Sequence, residues 1–174
     1  MNDILLRLSL PNETATLSLG TKIAHICFNN NKNNLINTNK IWLTGPLGTG
    51  KTTFCRGFLY GLGYKNKVKS PTYLLVNSYY ISKLIIHHFD FYQLSNSSEL
   101  EYIGIRDYFF CQKNQFYLIE WPEKCYDILP VADIEVRLDY YNLKTYNAEI
   151  YGISENGKKT IKSYLSKNRT LIIP

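Results

Sequence analysis

The stretch TGPLGTGKTT, residues 44 to 53, constrains what this chain can become more than any other feature. Gly45 to Thr52 satisfies G-x-x-x-x-G-K-[ST] in full, a pattern that binds phosphate when a strand delivers the loop and a helix leaves it. Both flanks meet that condition. KIWLTG ahead of the loop reads as a short apolar strand. Behind it, KTTFCRGFLYGLG reads as a helix that buries Phe54, Phe58 and Leu62 and stops at Gly61 and Gly63. In that setting Gly48, Thr49, Gly50, Lys51, Thr52 and Thr53 form a cradle whose backbone N–H groups turn inward at the positive end of the helix. Lys51 supplies a point charge to the β- and γ-phosphate oxygens, and the Thr52 hydroxyl is suited to ligate Mg²⁺.

The rest of the chain builds a sheet around this unit. Asp3 to Leu10 alternates like a strand, and PNETATLSLGTKIAHICF then carries apolar residues at helical spacing behind an Asn12 or Thr14 cap. TYLLVNSYYI and KLIIHHFDFY, rich in β-branched and aromatic residues, predict two strands joined by a tight turn at Ser82 and Lys83. SSELEYIGIRDYF predicts one helix, with capping-box spacing from Ser98 to Glu101. QFYLIEW is a continuous apolar strand of the kind buried mid-sheet. DIEVRLDYY and YNAEIYGIS alternate like an antiparallel pair, and GKKTIKSYL predicts a closing helix. A chain of 174 residues suits one domain over 1–174, with no internal repeat or linker.

Composition excludes some classes. No apolar run approaches the roughly 20 residues needed to cross a bilayer, and the N-terminus lacks the apolar core of a secretion signal, so a cytoplasmic protein without membrane attachment is expected. Cys27, Cys55, Cys111 and Cys125 have no C-x-x-C pairing, which argues for reduced, buried thiols rather than a zinc cage or redox motif. Neighbouring His87 and His88 would point to opposite faces of a strand and not converge on one metal. The net charge of +6 admits an RNA-binding surface. It equally admits AT-rich coding, since the chain is crowded with Lys, Asn, Ile and Tyr. The polar run 29–40, NNNKNNLINTNK, reads as a solvated loop.

A phosphate cradle needs carboxylates to hold metal and orient water before it can hydrolyse anything. Asp90 ends IIHHFD and Glu120 ends FYLIE. An α/β sheet presents its site at such carboxyl edges, although a carboxylate there can also cap a helix or sit solvated. The arginines Arg7, Arg56, Arg106, Arg137 and Arg169 are scattered, which disfavours the basic lid of a small P-loop kinase. No N-K-x-D segment is present to read guanine, so adenine is expected.

Five blocks, GPLGTGKTTFCRGFLYGLG, VKSPTYLLVNSYY, HFDFYQL, ELEYIGIRDYF and LIEWPE, resemble in order and spacing the TsaE (YjeE) family, ATPases of the bacterial machinery that makes threonylcarbamoyladenosine beside the anticodon of tRNA. The resemblance implies a P-loop NTPase-like α/β fold, ATP and Mg²⁺ as cofactors, and TsaD and TsaB as partner subunits. With the strands above, that fold has a central mostly parallel sheet flanked by helices and antiparallel strands at the edge. It also implies Lys51, Asp90 and Glu120 as catalytic residues and Thr52, Thr72, Asp90 and Glu120 as metal ligands. Ser70-Pro71-Thr72 resembles a switch near the γ-phosphate, Trp121 lies beside Glu120, and Asn12-Glu13 lies near the base, with Glu13 a binding residue. Two departures stand out. DYYNLKTYNAEI has Lys144 where relatives often carry a Gly-Arg pair, and Gln93 stands where they commonly have Arg.

Two functions follow. The first is a Mg²⁺-dependent ATP hydrolase supporting tRNA modification, weak without its partners. The second is a nucleotide-dependent assembly or reset subunit with incidental hydrolysis. A pure binder has little need of Asp90 and Glu120, which favours hydrolysis. Direct contact with tRNA stays open. Tyr73, Tyr79, Tyr80, Phe91 and Tyr92 beside the loop are either core packing or in part a partner surface.

Overall fold

The structure, a computed structural model, describes residues 4–29, 38–110, 114–142 and 145–167. In chain order it runs β1 (Ile4–Leu10), α1 (Glu13–Asn29), β2 (Lys40–Thr44), α2 (Lys51–Gly61), β3 (Val76–Ile81), β4 (Leu84–Asp90), α3 (Glu99–Tyr102), α4 (Ile105–Phe110), β5 (Gln115–Glu120), a 3₁₀ turn (Pro122–Lys124), β6 (Ile134–Tyr140), β7 (Tyr146–Gly152) and α5 (Glu155–Lys167). The strands form one seven-stranded sheet in the order β1-β7-β6-β2-β5-β4-β3. β6, β2, β5 and β4 run parallel, while β3 at one edge and β7 and β1 at the other are antiparallel. The expected fold class is therefore observed: a parallel centre with antiparallel margins.

Two apolar layers hold the sheet. On one face α1, α2 and α5 bury Ile23, Phe54, Phe58 and Ile161 against Ile41, Leu43, Ile86, Phe116 and Leu118. On the other, Phe91, Leu94, Leu100 and Ile105 close over Phe89, Tyr117 and Ile119. Alternation along β4 and β5 sorts the polar residues as well. His88, Asp90 and Glu120 face α2, while His87 turns to the opposite layer and stacks on Tyr117 at 5.5 Å. Helices α1 and α2 meet backbone to backbone, because a Cβ at Gly57 would lie 2.1 Å from Leu17 O. That contact fixes α2, and with it the loop ahead of it.

Four local expectations need correction. β3 starts at Val76, not Thr72. Pro71 O accepts from Leu74 N and Leu75 N, and Leu75 has φ 63°, so 71–75 is a turn held by the Ser70 and Thr72 side chains described below. The single helix expected over 97–109 is two short ones, α3 (Glu99–Tyr102) and α4 (Ile105–Phe110), broken where Gly104 takes φ 66°. The Ser98–Glu101 capping box is not made. Glu99 Oε1 instead accepts from Asn96 N at 3.0 Å, and Asn96 Oδ1 accepts from Ser98 N at 3.0 Å, so the loop caps itself two residues earlier. Leu62 is half-buried and serves as the C-cap of α2, unlike the fully buried Phe54 and Phe58. The Asn12 cap is as expected, its Oδ1 accepting from Ala15 N at 2.9 Å. Cys111, Lys144, Arg169 and 30–37 of the polar run lie outside the described residues.

Candidate functional site

The glycine loop leaves β2 and re-enters helix at Lys51, and its shape is enforced from below. Gly45 has φ 124°, and a Cβ there would stand 1.8 Å from Leu138 O on β6. Gly50, the N-cap of α2, is left-handed at φ 96°, a conformation that glycine adopts at no steric cost. Thr49, fully buried, donates to Pro46 O at 2.9 Å. Tyr140 on β6 donates to Leu47 O at 2.6 Å and ties the outer curve down. The first i→i−4 bond of α2 runs from Phe54 N to Gly50 O. The preceding N–H groups have no intrahelical acceptor, and the positive end of the helix dipole faces the loop.

Parallel register brings the carboxylates to the same edge. Asp90 pairs with Glu120 across β4 and β5, and Leu43 pairs with Glu120 across β2 and β5. Both acids are buried, at 3% and 2% exposure. A buried carboxylate must be well supplied with donors, and both are. Asp90 Oδ2 accepts from Ser70 Oγ and from Thr72 Oγ1, the latter at 2.8 Å, and Oδ1 accepts from Tyr92 N at 3.0 Å. Glu120 Oε2 accepts from Thr52 Oγ1 at 3.1 Å, and Oε1 lies 2.7 Å from His88 Nε2. Burial, then the charges of Glu120 and Asp90 and the thiol's hydrogen bond to Glu120, push the Cys55 thiol well above its ordinary range.

Lys51 lies folded against the loop. Its Nζ donates to Gly45 O at 2.6 Å and Pro46 O at 2.7 Å and sits 3.8 Å from the centre of the Trp121 ring. Trp121 reaches that position from a left-handed backbone, φ 59° and ψ 46°, before Pro122 starts the 3₁₀ turn. Non-glycine residues adopt this conformation at a cost of about 1–3 kcal/mol and often at functional sites. Burial pulls Lys51 below the ordinary lysine value, while the negative charges of Glu120, Glu123 and Asp90 pull the other way.

These groups line one cavity of about 290 Å³, with Lys51, Thr52, Thr72, Asp90, Glu120 and Trp121 on its wall. Two carboxylates and two hydroxyls are hard oxygen donors, which suits Mg²⁺ better than a soft metal. The cradle and Lys51 suit an anionic phosphate chain. Of the residues expected from sequence, Gly48, Gly50, Lys51, Thr52, Thr53, Thr72, Asp90 and Glu120 line this cavity, and Thr49 supports it from behind. Glu13 does not line it. It is exposed at the start of α1 and pairs with Arg56 at 2.9 Å, although Thr16, one turn on, packs against Gly50. Gln93 is exposed. Tyr79 and Phe91 are buried, Tyr73 and Tyr80 exposed, and half-buried Tyr92 lies 5.1 Å from Trp121. Sequence reasoning gave His88, Cys55 and Tyr140 no place in the site. A signal existed for the first: His88 lies two residues before Asp90, hence on the same strand face.

The family model described as "Threonylcarbamoyl adenosine biosynthesis protein TsaE" matches residues 10–149. The chain is 43% identical over 155 residues to the tRNA threonylcarbamoyladenosine biosynthesis protein TsaE of Haemophilus influenzae, covering 89% of this chain and 94% of that one. It is 36% identical to the Bacillus subtilis protein of the same name over 94 residues, 54% of this chain and 57% of the other. The crystal structure of Bacillus subtilis YdiB superposes with a TM-score of 0.72 over 98% of this chain and 99% of that one, at 20% identity, which speaks for the fold. With the family model spanning most of its length and a relative matched almost end to end, this chain belongs to the TsaE family.

Proposed function

We propose that this protein is a Mg²⁺-dependent ATP hydrolase that works with TsaD and TsaB in threonylcarbamoyladenosine modification of tRNA. One observation carries the reading: a glycine loop with Lys51 and Thr52 and two buried strand-end carboxylates, Asp90 and Glu120, line a single cavity. Bound Mg²⁺ would supply a Lewis acid that offsets negative charge on the phosphates. Thr52, Asp90, Glu120 and Thr72 are the donors available to hold it. The loop N–H groups and Lys51 bind and orient the phosphates, and for this Lys51 Nζ must leave the carbonyls of Gly45 and Pro46. Whichever carboxylate oxygen is left free of metal can accept a hydrogen bond from the attacking water and aim it in line. Preorganised donors and charges of this kind act mainly where charge develops.

A second reading, a nucleotide-dependent assembly or reset subunit, has its own support. Ser70 and Thr72 hold Asp90, and the next residues, Tyr73 and Leu74, are 91% and 70% exposed. Any change of ligand at Asp90 would pull directly on that exposed turn. One experiment tests both: ATP hydrolysis by the purified protein, alone and with TsaD and TsaB added, measured alongside partner binding with and without nucleotide. Turnover raised by the partners supports the hydrolase. Nucleotide-dependent partner binding without turnover supports the second reading, and the absence of both turnover and nucleotide-dependent binding would refute both.

A further inference from the structure

Behind Glu120, on the sheet side of the cavity, lies a group that the proposed chemistry leaves idle. His88 is fully buried, with Nε2 2.7 Å from Glu120 Oε1. An ionised carboxylate only accepts, so Nε2 is the donor in this contact. Its other nitrogen, Nδ1, is buried with no hydrogen-bond partner among the described residues. A buried polar atom without a partner is unfavourable, because it gives up its hydrogen bonds to water and gains none. Packing alone would be served better by phenylalanine, which would keep the contact with Tyr79, whose ring lies stacked at 6.4 Å. The other oxygen of Glu120, Oε2, meets Thr52 Oγ1 on the cavity side. The carboxylate is thus pinned at one oxygen by a buried ring and presented at the other to the loop.

We propose that His88 is a positioning residue: its Nε2–H fixes the Glu120 carboxylate in the orientation that offers Oε2 to Thr52 and the cavity. The inference rests on the hydrolase reading above and adds the residue that holds its carboxylate in place. A soft-metal site is the competing use of the same cluster, since ligand atoms of Cys55, His88 and Glu120 lie within 4.8 Å of one another. His88 Nε2 and Thr52 Oγ1 already meet the two oxygens of Glu120, so hydrogen bonds within the cluster account for its arrangement. The hydrogen-bonded arrangement uses all three groups as they stand.

The test compares His88→Phe, which keeps the ring and loses the donor, with His88→Gln, which keeps an amide donor and loses the ring. In the complex with TsaD and TsaB, His88→Phe should lower kcat by about tenfold to a hundredfold, the usual cost of losing such an outer partner. KM should stay within about threefold, because the effect falls on the chemical step. His88→Gln should recover most of kcat. In a Glu120→Gln background His88→Phe should add nothing, since it acts through that side chain. A binding readout runs beside these: the gain in ATP-analogue affinity on adding Mg²⁺, against EDTA, should shrink about tenfold in His88→Phe and persist in His88→Gln. Should the phenylalanine variant fail to fold, His88→Leu provides the donor-free side chain. Parental kcat and Mg²⁺ gain in a folded donor-free variant would overturn the proposal, as would a His88→Gln variant no better than His88→Phe. A parent complex without turnover would end the hydrolase reading alone, and the Mg²⁺-linked binding would still decide the role of His88.

Discussion

On one side of β2, strands β5 and β4 carry Glu120, Asp90 and His88 into the interior. On the other, β6, β7 and β1 carry Glu135, Arg137, Tyr151, Glu149 and Arg7 along a face that runs from buried Tyr151 to exposed Arg7. Both sets are networks. Arg7 Nε donates to Glu149 Oε1 at 2.9 Å, Tyr151 donates to Glu149 Oε2 at 2.6 Å, and Glu135 Oε1 takes bonds from Thr44 at 2.8 Å and Arg137 at 3.1 Å. The difference lies in their surroundings. Arg7 and Glu149 have side chains 65% and 25% exposed, so water and salt screen their attraction. Asp90, Glu120 and Lys51 are almost wholly buried, so each lost contact leaves a charge or dipole that water cannot repair. Position in the sheet decides which charges matter to function and which only decorate stability.

Four measurements would break or sharpen that contrast, and the largest effect is expected inside. Glu120→Ala and Asp90→Ala should each lower kcat with partners present by about a hundredfold to a thousandfold, comparable to deleting one preorganised group that meets developing charge. Nucleotide affinity should change much less. Turnover at the parental rate in either variant would remove that residue from the chemistry. Next, Lys51→Ala should weaken ATP binding by about tenfold to a hundredfold, or ~1.5–3 kcal/mol, for the loss of a charge-assisted contact. Calorimetry on the folded variant reads this directly, and unchanged affinity contradicts the cradle.

A third contrast appears at high pH. Burial, helped by Asp127 and Glu123, pushes the Cys125 thiol up to about 12. Burial, opposed by a hydrogen bond with Asn77, raises the Tyr79 phenol to about 12. Tyr79 packs in the layer that faces α2, and Cys125 in the opposite layer. With folded values above unfolded ones, each contributes stability that is full below its unfolded value and is lost as pH rises through the folded one. Stability should therefore fall between about pH 9 and 12, by at most about 1.4 kcal/mol per pH unit for each group. Urea midpoints across that range should drop in the parent and drop less steeply in Tyr79→Phe, where Cys125 still contributes. A flat parental profile would contradict it. Smallest of all, Arg7→Ala on the exposed edge should cost under about 1 kcal/mol, and less in high salt. A larger, salt-independent loss would show that the edge network behaves like the buried one.

Most of the fold was legible because its signals are local. The glycine loop between KIWLT and KTTFCRGFL, the apolar run QFYLIE and the alternation of DIEVRLDYY each reveal an element within a few residues. The errors fell where tertiary contacts overrode local preference. TYLL has strand-forming residues, yet Ser70 and Thr72 are drawn to Asp90 and 71–75 turns instead. SSELEYIGIRDYF has helical spacing, yet Gly104 breaks it. Along this segment, capping by Asn96 and Glu99 displaced the Ser98 box.

For the site, sequence alone determined the loop and the placing of Asp90 and Glu120 at strand ends, because both follow from short-range pattern and from where any α/β sheet opens. It could not determine that β5 lies between β2 and β4, or that Asp90 and Glu120 stand in register. Neither could it place His88 behind Glu120, Trp121 over Lys51, or Tyr140 under Leu47. Strand order and register join residues distant in the chain, and they are chosen by how two apolar layers close over the whole sheet. Only the folded chain makes that choice, and the contacts that aim the side chains of the site follow from it.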